Sequence, residues 1–211
     1  MSQKTDKILQ VLDQMFPNAH VELHHQNTFE LIVAVVLSAQ TTDVAVNLVT
    51  PTLFKRYPNP KSLSEANISD VEHILKTIGL YRNKAKNIIA LANEIHHKYH
   101  DEVPNERTKL EALPGVGRKT ANVVLSNAFN IPALAVDTHV ARVSIRLKLA
   151  KKEDSVLEIE HKLMKKFPKS VWTKLHHQLI FFGRYHCLAR VPKCQECPLY
   201  EICGYEKKTK I

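Results

Sequence analysis

Apolar residues recur along this chain at three- and four-residue spacing almost from end to end, the period of helices packed on a core. Ile8, Leu12 and Met15, with Leu9 and Phe16 beside them, mark a first helix that ends at Pro17-Asn18. Thr28 is placed to cap a second, which carries the run Leu31 to Leu37 into the interior. That Val-rich run also suits a strand. Its continuation through Ser38 and the lack of partner strands favour a helix buried on every side. After the polar break Gln40-Thr41-Thr42-Asp43, a third helix reaches Arg56, where Tyr57-Pro58-Asn59-Pro60 stops it.

Ser69 and Glu72 form a capping-box pattern ahead of Val71, Ile74 and Leu75, and Gly79 closes that short helix. Ala85, Ile88, Ala92, Ile95 and Tyr99 then predict a long amphipathic helix. Thr108 and Glu111 give a second box before a very short helix cut by Pro114. A new helix starts near Gly117 and runs to Phe129, and Asn130-Ile131-Pro132 is a joint. Asp137 or Thr138 caps the next helix, through Val140, Val143 and Leu147. Ser155 and Glu158 cap another, and Val171 to Tyr185 reads as the last long one. The tail Lys207, Lys208, Lys210 is expected to fray in solvent.

The pattern predicts an all-α protein, and the glycine count agrees: five in 211 residues are too few for a fold built on tight β-turns. With 44% apolar and 24% charged residues, the chain is an ordinary folded one, which excludes wholesale disorder. No repeat with a period of roughly 20–50 residues appears. The seven-residue apolar run Leu31 to Leu37 is too short to span a bilayer, and Met1 leads into Ser-Gln-Lys-Thr-Asp without a signal core. A cytoplasmic protein with no membrane association is expected. Thirty Lys and Arg against 21 Asp and Glu give a net charge of +9, which points to a polyanionic partner or to a merely basic, solvated surface.

Two of the scarce glycines lie two apart in Leu113-Pro114-Gly115-Val116-Gly117-Arg118-Lys119-Thr120. Here a short helix meets a tight turn and a second helix. The glycines let backbone approach a ligand closely, and the first turn of the second helix offers unpaired N–H groups at the positive end of its dipole. Together they suit a phosphate, without regard to base identity. Val116, between the glycines, is expected to point inward as an anchor. Lys119 sits on that first turn, where the same field disfavours a cation and favours the nucleophilic amine. A lysine contacting phosphate is the plainer alternative.

Asp137 follows the apolar run Ile131 to Val136 and opens a helix, an ordinary place for a capping carboxylate. A return loop can bring it back toward Lys119. An amine and a carboxylate facing one cleft suit attack at an electrophilic sugar carbon, the carboxylate stabilising positive charge and helping to take the amine's proton. Arg142, one turn on, is a candidate phosphate contact.

All four cysteines fall in one stretch, Cys187-x6-Cys194-x2-Cys197-x5-Cys203. Without a secretion signal, a metal centre is the better reading than disulfides. Zinc sites of four cysteines usually come as two C-x2-C pairs, and only Cys194/Cys197 is so spaced; an iron–sulfur cubane tolerates mixed spacing. Arg184, Arg190 and Lys193 lie where they could reach a phosphate.

Taken together, Leu37-Ser38-Ala39-Gln40-Thr41-Thr42-Asp43, Ile78-Gly79-Leu80-Tyr81, the Gly-Val-Gly-Arg-Lys turn, Val136-Asp137-Thr138-His139-Val140 and the cysteine spacing closely resemble the endonuclease III family of DNA glycosylases with AP-lyase activity, within the helix-hairpin-helix superfamily. The resemblance covers essentially the whole chain. It implies two helical lobes around a DNA-binding cleft: a six-helix barrel over residues 22–131, with the hairpin at about 108–128, and a discontinuous cluster domain of residues 1–21 and 132–211. It implies a [4Fe-4S] cluster on Cys187, Cys194, Cys197 and Cys203, taken as structural and DNA-orienting. It makes Lys119 the nucleophile and Asp137 the essential carboxylate. Leu80 would wedge into the duplex and Gln40 would fill the space of the flipped nucleotide. DNA contacts are expected besides from Gly115, Val116, Gly117, Arg118 and His139. The implied activity is removal of oxidised pyrimidines from double-stranded DNA by a monomer, followed by β-elimination at the abasic site through a lysine Schiff base.

Two departures stand out. Val191 lies between Arg190 and Lys193, where another cation would strengthen the phosphate grip, and Thr41 is expected to alter the lesion pocket slightly. Two other functions fit part of the pattern. An adenine-specific mismatch glycosylase generally lacks the lysine and carries an extra C-terminal domain, so Lys119 and the end at Ile211 speak against it. A non-catalytic DNA-binding module, with the cysteines around zinc, predicts a colourless protein.

Overall fold

The structure, a computed structural model, describes residues 2–206; the tail lysines 207, 208 and 210 lie outside them. Among the described residues there are helices and loops but no strands. The chain divides into two compact units, residues 22–131 and the pairing of residues 1–21 with 132–211. None of the described helices is long and apolar enough to cross a membrane.

The unit of residues 22–131 holds α2 (Thr28–Leu37), α3 (Asp43–Arg56), α4 (Pro60–Ser64), α5 (Ile68–Leu75), α6 (Tyr81–Tyr99), α7 (Arg107–Glu111) and α8 (Arg118–Ala128). The Val-rich run is helical, as its length suggests. Every residue from Phe29 to Leu37 is buried, so α2 has no polar face and forms the centre of this unit. It packs on α3, α6 and α8, while α4 and α5 pack on α6 and α7 packs on α8. Each large aliphatic side chain buried here contributes roughly 1.5–3 kcal/mol.

Several helix starts differ from the sequence reading, and at α2 and α5 a nearer side chain takes a free N–H group. Asn27, not Thr28, caps α2 by accepting from the Glu30 N–H at 2.9 Å. Asn67 caps α5 by accepting from the Ser69 N–H at 2.9 Å, which leaves the Ser69/Glu72 box unformed. The Thr108/Glu111 box is also absent, because α7 begins at Arg107 after an N-cap Glu106 that makes no side-chain cap. Helix α4 is an addition. Pro58 and Pro60 read as a stop, but Asn59 and Ser62 cap each other's backbone and Pro60 occupies the first helical position, where its missing N–H costs nothing.

The second unit holds α1 (Gln3–Met15), α9 (Thr138–Arg146), α10 (Val156–Lys166) and α11 (Trp172–Phe181). Its core joins Ile8 and Leu12 of α1 to Val140 and Val143 of α9, Ile159 and Leu163 of α10, and Leu175 and Leu179 of α11. The Ser155/Glu158 capping box forms as the pattern predicts. The final helix is not one piece. A 3₁₀ turn at Lys169–Val171 precedes α11, and a π-helical segment, Phe182–His186, follows it and delivers the chain to Cys187. Gly183 lies in that segment because α9 presses against it: a Cβ there would meet the His139 Cβ at 2.9 Å. Buried polar groups tie the unit further. His176 Nδ1 donates to the Ala135 carbonyl at 2.8 Å, holding the extended run before α9, and Gln178 donates to Asp13 at 2.7 Å.

Candidate nucleic-acid interface and metal centre

In the unit of residues 22–131, α7 and α8 form the hairpin around the paired glycines. Leu113 and Val116 are buried and pin the turn, and the Val116 N–H closes it on the Leu113 carbonyl at 3.1 Å. Gly115 has φ +77, and a Cβ there would lie 3.1 Å from the Asn87 Cβ and 3.2 Å from Val36. Both backbone conformation and packing therefore require glycine. Gly117 is the extended N-cap of α8, with no side chain over it and nothing within 4 Å of a would-be Cβ. No side chain of the N-cap covers the first N–H groups of α8, an arrangement that suits a phosphate oxygen. Gly115, Gly117 and Lys119 are exposed at this turn, and Arg118 is half-buried beside them.

Gln40 and Leu80 come together in the same unit. Both are exposed, and both are non-glycine residues in the left-handed region, at φ 53 and φ 59. A Cβ on Gly79 would lie 3.9 Å from the Gln40 carbonyl oxygen, so the two loops run close together. Left-handed backbone costs of the order of 1–3 kcal/mol per residue and is held only where the surroundings enforce it. Leu80, 55% exposed, presents an apolar side chain to solvent at such a turn.

In the second unit, Asp137 is the N-cap of α9. Its Oδ1 accepts from the N–H groups of His139 and Val140 at 2.9 and 2.8 Å, which decides between it and Thr138. His139 is half-buried, and burial is the chief reason its imidazole titrates below the ordinary histidine range. Arg142, read in the sequence as a phosphate contact, turns its guanidinium to the Gly183 carbonyl (2.7 Å), the Cys187 carbonyl (3.2 Å) and His139 Nδ1 (3.2 Å). Its place one turn below Asp137 brings it over the π-helical segment, whose carbonyls need donors. Arg184 is half-buried, whereas Arg190, Val191 and Lys193 are exposed on the loop between the first two cysteines.

Cys187, Cys194, Cys197 and Cys203 line one small cavity of about 20 Å³, walled besides by Leu147, Phe182, Tyr200 and Tyr205. Among the described residues, no three His, Cys, Asp or Glu side chains gather tightly enough to hold a single ion. Burial pushes the Cys197 thiol up to about 11 and raises Cys187 too, so metal binding here would release protons.

Arg146, which the sequence reading passed over, organises this loop. It is buried, and its guanidinium donates to the carbonyls of Leu188 and Ala189 and stacks 4.0 Å from the Tyr205 ring. Its carbonyl oxygen accepts from the Gly204 N–H at 2.8 Å. The available signal was a charge on the apolar face that Val143 and Leu147 share.

Residues 33–169 match the family described as HhH-GPD superfamily base excision DNA repair protein. The chain belongs to the HhH-GPD superfamily. Within this superfamily it is 56% identical to endonuclease III of Bacillus subtilis (strain 168) over 200 residues, which cover 95% of this chain and 91% of that protein. A trapped endonuclease III–DNA covalent intermediate superposes with a TM-score of 0.91 at 53% identity, covering 97% of each chain. A non-covalent endonuclease III–DNA complex gives 0.91 at 52% identity, over 97% of this chain and 96% of that one. A thermostable thymine-DNA glycosylase, 22% identical with a TM-score of 0.88, shares the fold.

Proposed function

We propose that this HhH-GPD protein is a bifunctional DNA glycosylase and AP lyase that excises oxidised pyrimidines from duplex DNA. The observation that carries the reading is Lys119: an exposed lysine on the first turn of α8, directly after an uncapped Gly-x-Gly turn. The endonuclease III relatives, one of them trapped covalently on DNA, support it, because a covalent species needs a nucleophile.

The hairpin grips the phosphate backbone through the N–H groups of Gly115 and Gly117 and the Arg118 side chain. Arg184, Arg190 and Lys193 add charge contacts, and His139 lies near the backbone at the start of α9. The damaged nucleotide is extruded at a cost of a few kcal/mol, least for a weakened pair, while Leu80 enters the stack and Gln40 fills the vacated space. The Lys119 amine attacks C1′ of the sugar, and the base leaves with the glycosidic electron pair. Asp137 stabilises positive charge at the sugar and helps to remove the amine proton. Ring opening gives the lysine Schiff base. Loss of a C2′ proton then expels the 3′ phosphate by β-elimination.

A [4Fe-4S] cluster held by Cys187, Cys194, Cys197 and Cys203 would brace the loop that carries Arg190 and Lys193. We place the enzyme in the cytoplasm on nucleoid DNA, acting as a monomer, with residues 22–131 as the six-helix barrel and the remainder as the cluster domain.

Borohydride reduction tests the reading. Cluster-loaded protein is expected to become covalently attached to duplex DNA that carries thymine glycol or an abasic site, and Lys119→Gln to abolish attachment. Cluster-loaded wild type that releases no base and never attaches would remove the assignment.

A further inference from the structure

Lys84 is buried in the first turn of α6, 4% exposed, and no carboxylate pairs with it among the described residues. Its ammonium donates instead to the hydroxyl of Thr41, in the loop between α2 and α3. Burial holds the amine below the ordinary lysine range. A buried lysine is costly, and one whose hydrogen-bond partner is a neutral hydroxyl is a poor source of stability. Its placement offers another reason for its presence.

The backbone N–H of Lys84 donates to the Leu80 carbonyl at 3.0 Å, so the residue is fixed one turn from the left-handed Leu80. Its side chain crosses to Thr41, the neighbour of the left-handed Gln40. Thr41 is itself fixed by its N–H on the Ser38 carbonyl at 3.1 Å. One residue thus joins the two loops, which also run close enough at Gly79 that a Cβ there would come within 3.9 Å of the Gln40 carbonyl oxygen.

We propose that Lys84 is a positioning residue for base extrusion, holding the Gln40 loop against the Leu80 turn through the Thr41 hydroxyl so that both side chains enter the flipped nucleotide's space together. The proposal rests on the functional reading of Gln40 and Leu80 given above. Lys84 touches no reacting atom in this scheme. Misplacement of such loops by about an ångström is enough to slow a reaction substantially.

The test uses the full-length, cluster-loaded protein and the variants Lys84→Met, Thr41→Val, their double, and Lys84→Arg. Amide hydrogen exchange over residues 38–42 is read without DNA. Extrusion is read by fluorescence of 2-aminopurine beside thymine glycol in a duplex, and base release under single-turnover conditions. Each single substitution is expected to speed exchange in that segment and to slow extrusion and base release roughly tenfold. The double variant should be no worse than either single one, because both remove the same bond. Lys84→Arg, which keeps a donor, should restore part of the rate. Additive losses, a Thr41→Val protein indistinguishable from wild type, or faster exchange with unchanged extrusion would each overturn the proposal. Wild type that shows the slow exchange yet releases no base would overturn the functional reading instead, and is seen before any variant is compared.

Discussion

The Arg146 guanidinium lies 3.2 Å from the Cys187 sulfur and 3.3 Å from the Cys187 carbonyl oxygen. The same group reaches the carbonyls of Leu188 at 2.7 Å and Ala189 at 2.9 Å. Three successive carbonyls that enter an irregular loop are therefore satisfied by one buried side chain, which also stands beside a thiol of the cavity that the four cysteines line.

Arg146→Met keeps the apolar stem but removes these donors. Buried hydrogen bonds to a charged group are worth about 1.5–3 kcal/mol each, and their loss is not additive. The variant is expected to lose on the order of 3 kcal/mol of stability in urea unfolding and to purify with less iron and weaker visible absorbance. Arg146→Lys, with one compact donor group in place of a fork, should fall between. Full iron content and unchanged unfolding in Arg146→Met would show that the loop orders itself.

Gly183→Ala tests the close approach of α9 to the π-helical segment. The added methyl would meet the His139 Cβ at 2.9 Å, with the Arg142 guanidinium at 3.2 Å. Neither backbone can withdraw easily, because Arg142 already bonds the Gly183 carbonyl. Overpacking of this kind costs typically 1–3 kcal/mol. Thermal unfolding is expected to fall accordingly, and His139, adjacent in sequence to the Asp137-Thr138 start of α9, should move with it. A variant as stable as wild type would mean that the segment relaxes freely.

The helical fold was legible because apolar periodicity is written into every segment, and α2 was legible even without a polar face, from its length and its lack of partner strands. Helix starts were less so. Ser, Thr, Asn and Glu are dense before α5 and α7, and only geometry decides that Asn67 reaches a free N–H while Thr108 does not. The hairpin glycines, the cysteines and Asp137 announced themselves by clustering or by residue type. The sequence carries no sign of the carbonyls that the π-helical segment presents to Arg142. Arg146 and Lys84 were missed for a related reason: a buried cation looks like a surface cation until its partners are known.

Asp137 has a structural duty that can be separated from its proposed chemistry. Its Oδ1 caps α9 through the N–H groups of His139 and Val140. Asparagine offers a carbonyl oxygen in the same position, so Asp137→Asn should unfold within a few tenths of a kcal/mol of wild type. Asp137→Ala loses the cap and should cost about 1 kcal/mol. Both remove the negative charge, so both are expected to slow base release by more than a hundredfold, as losses of preorganised electrostatic groups commonly do. If Asp137→Asn excised bases at the wild-type rate, the carboxylate would be a cap and nothing more.

Acid should destabilise the unit that contains His177, and the sign follows from its burial. Burial, and next the neighbouring His176, His20 and Arg184, push the His177 imidazole down to about 3 from an ordinary 6.5. The folded protein thus keeps this ring neutral where the unfolded chain protonates it. Between those two values the unfolded state binds more protons, so stability is fully present above pH 6.5 and declines as the pH falls toward the folded value. Each pH unit well inside that window removes about 1.4 kcal/mol, giving roughly 2 kcal/mol by about pH 5. His139 and His186 are shifted downward as well, chiefly by burial, and add in the same direction. His177→Asn is expected to unfold more easily at neutral pH and to depend less steeply on pH between about 6 and 4.5, by close to one proton. The measurement is urea unfolding at a series of pH values; an unchanged slope in the variant would mean that His177 accepts a proton without leaving its place.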